Sequence, residues 1–341
     1  MGKGRRADIV ILAVLAAASG GARATGLPSW LVPYASVRLQ AEAVRPADAR
    51  QVGDYAGLRD AYSRFGVRGE RDLGGGLAML GQAEFALDLA NGRARDPYDR
   101  EESRRVLRLG LRGPLGSIVA GQQWLPYYDA VSSAVDRFST YYSGFATYTT
   151  PRVRDTVAYE SPQAGGIAVA AAWSHARGNR RSTARIDDRR LQASIRGELG
   201  RIRVAVAVDD RGNAAGYRDR LHGLSASWDG GDLHVAAKYE VTSARDPRAF
   251  FGNGARAANV FASWTSGPDT LKAMAARVEN FGGTIVHLGW ERRLGRSAAA
   301  FAEYYREGET AAIAPRREGL RGFDASLGGG WALAAGVRVD F

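Results

Sequence analysis

The sequence contains no cysteine and no run of 18 apolar residues. Without cysteine there is neither a disulfide framework nor a thiolate metal site. Without a long apolar run, no helix is predicted to span a bilayer. The histidines are few and dispersed, and none lies in a hydrolase or zinc motif: His175, His222, His234 and His287. The sequence therefore offers no catalytic residue, no metal site and no cofactor, and we do not expect an enzyme.

Acidic residues are also in short supply, and the 341-residue chain carries a formal net charge of +11. Such an excess is typical of chains that meet nucleic acid, anionic lipid or anionic solutes. The first residues indicate export, because a basic start leads into an apolar segment and Ala22-Arg23-Ala24 forms a cleavage site. We predict a signal peptide at 1–24, and export argues against nucleic acid as a partner. Removing four basic residues and one acidic residue leaves a net charge of +8.

What is abundant is alternation of apolar and polar residues in segments of about 8–10 residues, the length of tilted membrane strands. Ile202, Val204, Val206 and Val208, for example, lie opposite Arg201 and Arg203. Each predicted strand thus has one apolar face and one charged face. A soluble β-sandwich alternates as well, so alternation alone leaves both folds open.

The connections between the predicted strands distinguish the two folds. Seven are short turns, at 71–76, 113–116, 161–165, 197–200, 229–231, 266–269 and 292–296. Between them lie mostly longer polar segments, at about 43–61, 89–103, 124–152, 174–188, 209–220, 241–257 and 306–330, with a short exception near 279–283. This rhythm is typical of outer-membrane barrels. Counting between the connections predicts sixteen strands, and 320–328 is assigned to the last connection because bacterial barrels have even strand numbers.

The connection at 124–152 is the longest break in the strand pattern, and it is rich in aromatic and hydroxyl residues. Irregular connections of this length are uncommon and usually functional when ordered. We predict that it folds into the lumen of the barrel and narrows an aqueous channel.

Several segments resemble the general porins of Gram-negative outer membranes in their trimeric, sixteen-stranded form. They are Ser63–Gly69 with 72–77, Leu109–Gly113 with 115–116 and 121–123, Pro126–Ala130, Asp155–Val157 with 159–166, and the terminal Phe341. The resemblance implies an all-β transmembrane antiparallel barrel of about 16 strands over 25–341, with an inward-folded constriction loop. It also implies an outer-membrane location, a homotrimer, contact with outer-membrane lipid and lipopolysaccharide, and a barrel-assembly machinery that reads Phe341.

The resemblance further implies where the pore is narrowest. Such porins place basic strand residues opposite acids of the constriction loop, and fixed charges there select the ions that pass. Matching positions gives the basic candidates Arg64, Arg105 and Arg152, a lumen acid Glu84, and the loop candidates Tyr127, Asp129 and Asp136, with Gln122 where the family usually has arginine.

Alternation gives an independent assignment for the strand residues. It places Arg64, Arg68 and Arg108 on the polar face, but it places Arg105 in phase with Leu107 and Leu109. A charge on the lipid face near mid-membrane costs about 2–4 kcal/mol. Arg108 is therefore expected in the lumen, and Arg105 can face it only if the strand bulges.

We expect an outer-membrane porin through which small hydrophilic solutes and ions diffuse passively, with a mild preference for anions from the basic lumen. Three alternatives stay open at this point. They are a substrate-specific channel of the same fold, a barrel that acts as an adhesin or structural anchor, and a secreted soluble β-sandwich.

Overall fold

The computed structural model describes residues 28–48, 53–95, 103–175, 190–211, 218–245, 249, 251–313 and 328–341. The predicted signal peptide and residues 320–327 lie outside the described residues. Among the residues described, no helix has the length and apolar character needed to cross a membrane.

The described chain forms one antiparallel sheet of seventeen strand segments. They are β1 (Leu31–Pro46), β2 (Tyr55–Asp60), β3 (Arg64–Gly74), β4 (Leu77–Ala86), β5 (Arg104–Gly113), β6 (Gly116–Trp124), β7 (Arg152–Glu160), β8 (Ile167–Ser174), β9 (Arg190–Leu199), β10 (Ile202–Asp210), β11 (Asp219–Asp229), β12 (Leu233–Ala244), β13 (Arg256–Ser266), β14 (Asp269–Val278), β15 (Gly283–Arg293), β16 (Ala298–Glu309) and β17 (Gly328–Asp340).

The sheet closes on itself, because β1 pairs with β17 on one side and with both β2 and β3 on the other. β2 and β3 contact different halves of the same neighbour, so they are two parts of one wall strand interrupted at 61–63. Seventeen segments therefore make a closed barrel of sixteen strands, as predicted. Closure leaves no unpaired sheet edge, which is what a backbone in lipid requires.

The alternation in the sequence corresponds to the two faces of the barrel wall. On β5, the outward-facing Leu107, Leu109 and Leu111 are 46, 59 and 46% exposed, which is the apolar surface that a lipid-facing wall presents. Arg108 and Arg112 alternate with them and line the interior.

The connections also follow the predicted rhythm, and the largest difference lies in the first long connection. The predicted short turns each join consecutive strands, whereas the first long connection is shorter than 43–61. β1 and β2 extend into that range and stay paired as far as Val44 and Tyr55. Their pairing continues because Tyr55 and Arg59 both donate hydrogen bonds to Glu42.

The buried core lies inside the barrel and is built largely from the connection between β6 and β7. Its main cluster combines side chains of that connection, such as Tyr127, Phe138 and Tyr148, with wall residues such as Phe261. The fit is close at Gly223 on β11, where an added Cβ would lie 2.2 Å from Tyr127 Oη. A larger residue at this position would displace the inward loop.

Candidate pore constriction

The inward loop is residues 125–151, and its two ends meet at the wall. β6 ends at Trp124 and β7 begins at Arg152, which matches the predicted bounds. The Leu125 amide donates to Pro151 O at 3.0 Å, and the Arg152 guanidinium lies 4.8 Å from the centre of the Trp124 ring. Pro126, whose missing N–H is no loss in a first helical turn, begins a short helix α1 (Pro126–Ala130), and a 3-10 turn (Ser132–Ala134) follows.

Glu240 on β12 holds the middle of the inward loop. Its carboxylate accepts hydrogen bonds from Tyr127 Oη at 3.1 Å, Thr147 Oγ1 at 2.8 Å and the Tyr148 amide at 3.2 Å. Lys238 Nζ lies 2.5 Å from the same carboxylate, and both side chains are fully buried. Lys238 also donates to Ala146 O at 2.8 Å. A buried carboxylate with this many donors fixes the loop on the wall.

Glu303 on β16 holds a second part of the loop in the same way. It accepts from the Ser139 amide at 2.7 Å, the Thr140 amide at 3.2 Å and Thr140 Oγ1 at 2.5 Å. His287 Nε2 lies 2.9 Å from the Glu303 carboxylate, and the His287 ring stacks on Phe138 with centroids 3.6 Å apart.

The loop then reaches the first wall strands. The Tyr141 amide donates to Gln40 Oε1 at 2.8 Å, and Tyr142 Oη donates to Glu42 Oε2 at 2.7 Å. From the other side, Tyr62 Oη donates to Tyr141 O at 2.6 Å. With the bond from the Tyr127 amide to Gln192 on β9, these contacts attach the loop to wall strands from β9 round to β1.

A second part of the wall, formed by β3, β4 and β5, carries arginines around one acid. Arg105 Nε lies 2.8 Å from Glu84 Oε1, Arg64 Nε lies 3.7 Å from Glu84 Oε2, and Tyr34 Oη donates to the same oxygen at 3.0 Å. The structure thus brings together Arg64, Arg105 and Glu84, which the sequence had grouped.

Arg105 reaches this group because β5 is irregular at this point. Glu84 pairs with Val106 and Phe85 pairs with Arg104, so Arg105 is the extra residue of a β-bulge. The bulge turns its side chain to the side of Glu84, and regular alternation resumes at Leu107. This explains how both Arg105 and Arg108 line the interior although they differ in phase.

Sequence reasoning missed two further arginines beside this group. Arg38 on β1 pairs in register with Arg338 on β17, and its neighbour Ser36 pairs with Arg64. Arg338 lies 3.1 Å from both Glu291 and Asp340, whereas Arg38 Nε donates only to Ser36 Oγ at 2.9 Å. Among the described residues, no carboxylate lies within ion-pairing distance of Arg38. Each alternates with apolar neighbours, Arg38 with Val37 and Leu39 and Arg338 with Val337 and Val339, which predicts the polar face for both. Only the closure of β1 on β17 shows that they are neighbours.

A cavity of about 1050 Å³ opens toward the short turns and holds the other predicted interior charges. Its lining includes Arg68, Arg108 and Asp129. The Asp129 side chain is exposed to this cavity, but the surrounding wall reduces its hydration and raises its pKa to about 6, against the opposing effect of Arg196 and Arg108. The cavity also contains the mutually bonded pairs Arg112–Glu70 and Arg196–Glu160.

The remaining candidates lie apart from these groups. Asp136 accepts from Tyr128 Oη at 2.6 Å and from Ser143 Oγ, so its carboxylate is bonded within the loop. Gln122 pairs in register with the outward-facing Leu107 and exchanges hydrogen bonds with Arg104 at 2.8 and 2.9 Å. The Phe341 amide donates to Ala35 O at 2.9 Å, and its side chain is 47% exposed.

In the part of the chain that the structure describes, no group of three potential metal ligands is assembled. The interior thus carries two groups of fixed charges: acids on one part of the wall that are bonded to the loop, and arginines on another part that surround Glu84.

Comparisons with known proteins agree with this architecture. A family model described as Gram-negative porin matches residues 12–311. Among solved structures, the chain resembles an anion-selective porin from Comamonas acidovorans, with 17% identity and a TM-score of 0.69 over 91% of this chain and 99% of that one. It also resembles OmpF of Salmonella typhi in complex with daunomycin, with 16% identity and a TM-score of 0.68 over 91% and 97% of the two chains. No curated protein matches the sequence.

Proposed function

This chain belongs to the family of Gram-negative porins, so it is an outer-membrane channel for passive diffusion, and we propose that it prefers small hydrophilic anions over cations. Family and fold are those of a channel rather than of an enzyme. The finer statement concerns the sign of the charge that passes, and it depends on how the interior charges are arranged.

The observation that carries the proposal is Arg38, a wall guanidinium without a carboxylate partner among the described residues. Arg64, Arg105 and Arg338 lie near it; Arg64 and Arg105 share Glu84, and Arg338 contacts Glu291 and Asp340. In a narrow, low-dielectric passage such an excess attracts anions and repels cations, because few water molecules screen it.

The two acids of the inward loop are bonded or placed elsewhere than at Arg38. Asp136 is bonded to Tyr128 and Ser143, and Asp129 faces Arg108 and Arg196. The predicted opposition of loop acid and wall base is thus present at Asp129, but neither loop acid has a described ion pair with Arg38 or Arg64.

Reversal potentials of single channels in a salt gradient test the preference. We expect the wild type to favour chloride over potassium, and we expect Arg38→Gln to reduce that preference severalfold because it removes the unpaired charge. Arg292→Gln is the matched control, since Arg292 lies on the outer face beside Asp269 and should leave selectivity unchanged. Cation selectivity of the wild type would refute the proposal.

We also propose that the protein is a homotrimer. Ala41, Ala335 and Ala302 form one outward-facing cross-strand row beside a groove of about 740 Å³, and small side chains let another wall approach closely. Light scattering of the detergent-solubilised protein should give three chains, and Ala335→Trp should give one. A monomeric wild type would contradict this assignment.

Two proposals about biogenesis follow from the chain ends. We propose cleavage after Ala24, which N-terminal sequencing of protein from outer membranes would establish. We further propose that the exposed Phe341 side chain is read by the barrel-assembly machinery, so Phe341→Ala should lower the amount of assembled protein. Normal assembly of that variant would exclude this role.

A further inference from the structure

We propose that the outer surface of β13, β14 and β16 binds the phosphate groups of lipid A in the outer leaflet. The site consists of Arg256, Arg277 and Arg306, which we call the rim arginines. The site lies outside the lumen, so it takes no part in selecting the ions that pass. It specifies which part of the outer wall contacts lipopolysaccharide.

The alternation of each strand shows that the rim arginines face outward. On β16, Phe301, Glu303 and Tyr305 point inward and are buried, so Arg306 faces the lipid side. The same argument applies to Arg277, because Met274, Ala276 and Val278 are buried on β14, and to Arg256, because Ala257 and Phe261 are buried on β13.

The strand register places the three at the end of the barrel away from the short turns. Arg306 pairs with Val286, whereas Arg277 pairs with Thr284, two residues closer to the loop end of β15. Arg277 also pairs with Ala258, and Arg256 lies two residues beyond Ala258 in the same direction. The offset is thus two residues across the two strands from β16 to β14, and two residues across the one strand from β14 to β13. Barrel strands tilt by about 35–45°, and offsets of about one to two residues per strand follow one level of the membrane. In outer-membrane barrels this end faces outside, because the periplasmic turns are the short ones.

The spacing fits a lipid headgroup with more than one phosphate. With strands about 4.8 Å apart and about 3.3 Å per residue, the Cα atoms of Arg277 and Arg256 are about 8 Å apart. Those of Arg306 and Arg277 are about 12 Å apart by the same geometry. Two or three long guanidinium side chains at this spacing can contact one phosphorylated headgroup or two neighbouring ones.

The rim arginines are exposed, and no described carboxylate pairs with their side chains. An outward-facing charge is unfavourable in hydrocarbon but tolerated near the membrane surface. Trp331, which pairs in register with Arg306 and lies 6.3 Å from Tyr304, marks that level as an interface. Three unpaired guanidinium groups at headgroup depth attract anionic headgroups, and phosphates are the anions that arginine binds with bidentate geometry.

Two other outward-facing arginines of the described wall have carboxylate partners. Arg220, at the loop end of β11, lies 2.7 Å from Asp210 on the neighbouring strand. Arg292, near a short turn, lies 3.3 Å from Asp269. The guanidinium groups of the rim arginines have no such partner among the described residues, although Glu279 accepts from the Arg256 amide at 3.0 Å and lines a cavity with Arg277.

Binding of fluorescent lipid A to the refolded, detergent-solubilised protein tests the site. We expect the triple variant Arg256→Gln, Arg277→Gln, Arg306→Gln to bind roughly a hundredfold more weakly. This is the combined loss of three arginines, each making the usual contribution of one arginine near an anionic headgroup. The matched control is the double variant Arg220→Gln, Arg292→Gln, which should bind within a fewfold of the wild type.

Two further probes identify the ligand group. Dephosphorylated lipid A should bind the wild type as weakly as the phosphorylated form binds the triple variant, and millimolar inorganic phosphate should not displace lipid A. Equal binding by the triple variant and the wild type, or by both forms of lipid A, would overturn the proposal. Displacement by inorganic phosphate would overturn the choice of a lipid as the ligand.

Channel recordings keep this test independent of the proposed anion preference. The triple variant should fold, show heat-modifiable gel mobility and keep the wild-type reversal potential, because none of the three side chains faces the lumen. A changed reversal potential would contradict the outward placement itself.

Discussion

The two parts of the interior wall use their charged residues in opposite ways. The part that carries the inward loop presents Glu42, Glu240 and Glu303, and each of these carboxylates accepts hydrogen bonds from the loop. The part formed around β1, β3 and β5 presents Arg38, Arg64 and Arg105, with one shared carboxylate, Glu84, within 4 Å of the last two. The acids of the first part are bonded to the loop, whereas Arg38 of the second part has no described carboxylate within ion-pairing distance.

The largest effect is expected from removing an acid of the loop-bearing wall. Glu240→Ala should destabilise the protein by about 3–5 kcal/mol, because it leaves buried Lys238 without its counter-charge. It should also release the loop near Tyr127 and Thr147, seen as faster proteolysis within 125–151 and noisier single-channel current.

The control for Glu240→Ala is the removal of an acid that lies in the interior but is exposed to water. Glu160→Ala removes the partner of Arg196 at a site where both side chains are about one-third to one-half exposed. Such pairs contribute only about 0–1 kcal/mol. If the two variants unfolded at the same denaturant concentration, the distinction between loop-binding and solute-facing acids would fail.

A smaller effect should separate two adjacent arginines on β5. Arg105→Gln should lower the preference for anions, because the β-bulge turns Arg105 toward the interior beside Glu84. Arg104→Gln should leave selectivity nearly unchanged, because Arg104 faces away from the lumen. It donates a hydrogen bond to Gln122, which pairs in register with the outward-facing Leu107. Reversal potentials of the two variants in one salt gradient provide the measurement, and the opposite order would show that β5 is regular.

The smallest effect concerns pH and the single carboxylate of α1 that faces the cavity. The pKa of Asp129 is raised to about 6, so this group is charged at pH 7.5 and largely neutral at pH 5. Acidification removes one negative charge near Arg108 and Arg196, and the preference for anions should therefore rise slightly between pH 7 and pH 5. At pH 7.5, Asp129→Asn should already show the selectivity that the wild type has at low pH, and its anion preference should no longer change with pH in this range. If the anion preference of the variant still changed with pH as in the wild type, another group would be responsible for the pH dependence.

Much of the architecture was predictable because its signals are local. Alternation at Ile202–Val208 determines which side chains face outward, and the turn rhythm yields sixteen strands and the bounds of the inward loop. The grouping of Arg64, Arg105 and Glu84 came from resemblance, since alternation alone assigned Arg105 to the wrong face. Arg38 and Arg338 were missed because 300 residues separate them in the chain.

By itself, then, the sequence determined the barrel, the faces of its strands, the position of the loop between β6 and β7, and a basic interior, because each depends on residues close together in the chain. Only the tertiary structure decided which charges remain for solutes. That choice depends on barrel closure, which brings Arg38 beside Arg338, on a single bulged residue at Arg105, and on which distant glutamates meet the donors of the loop.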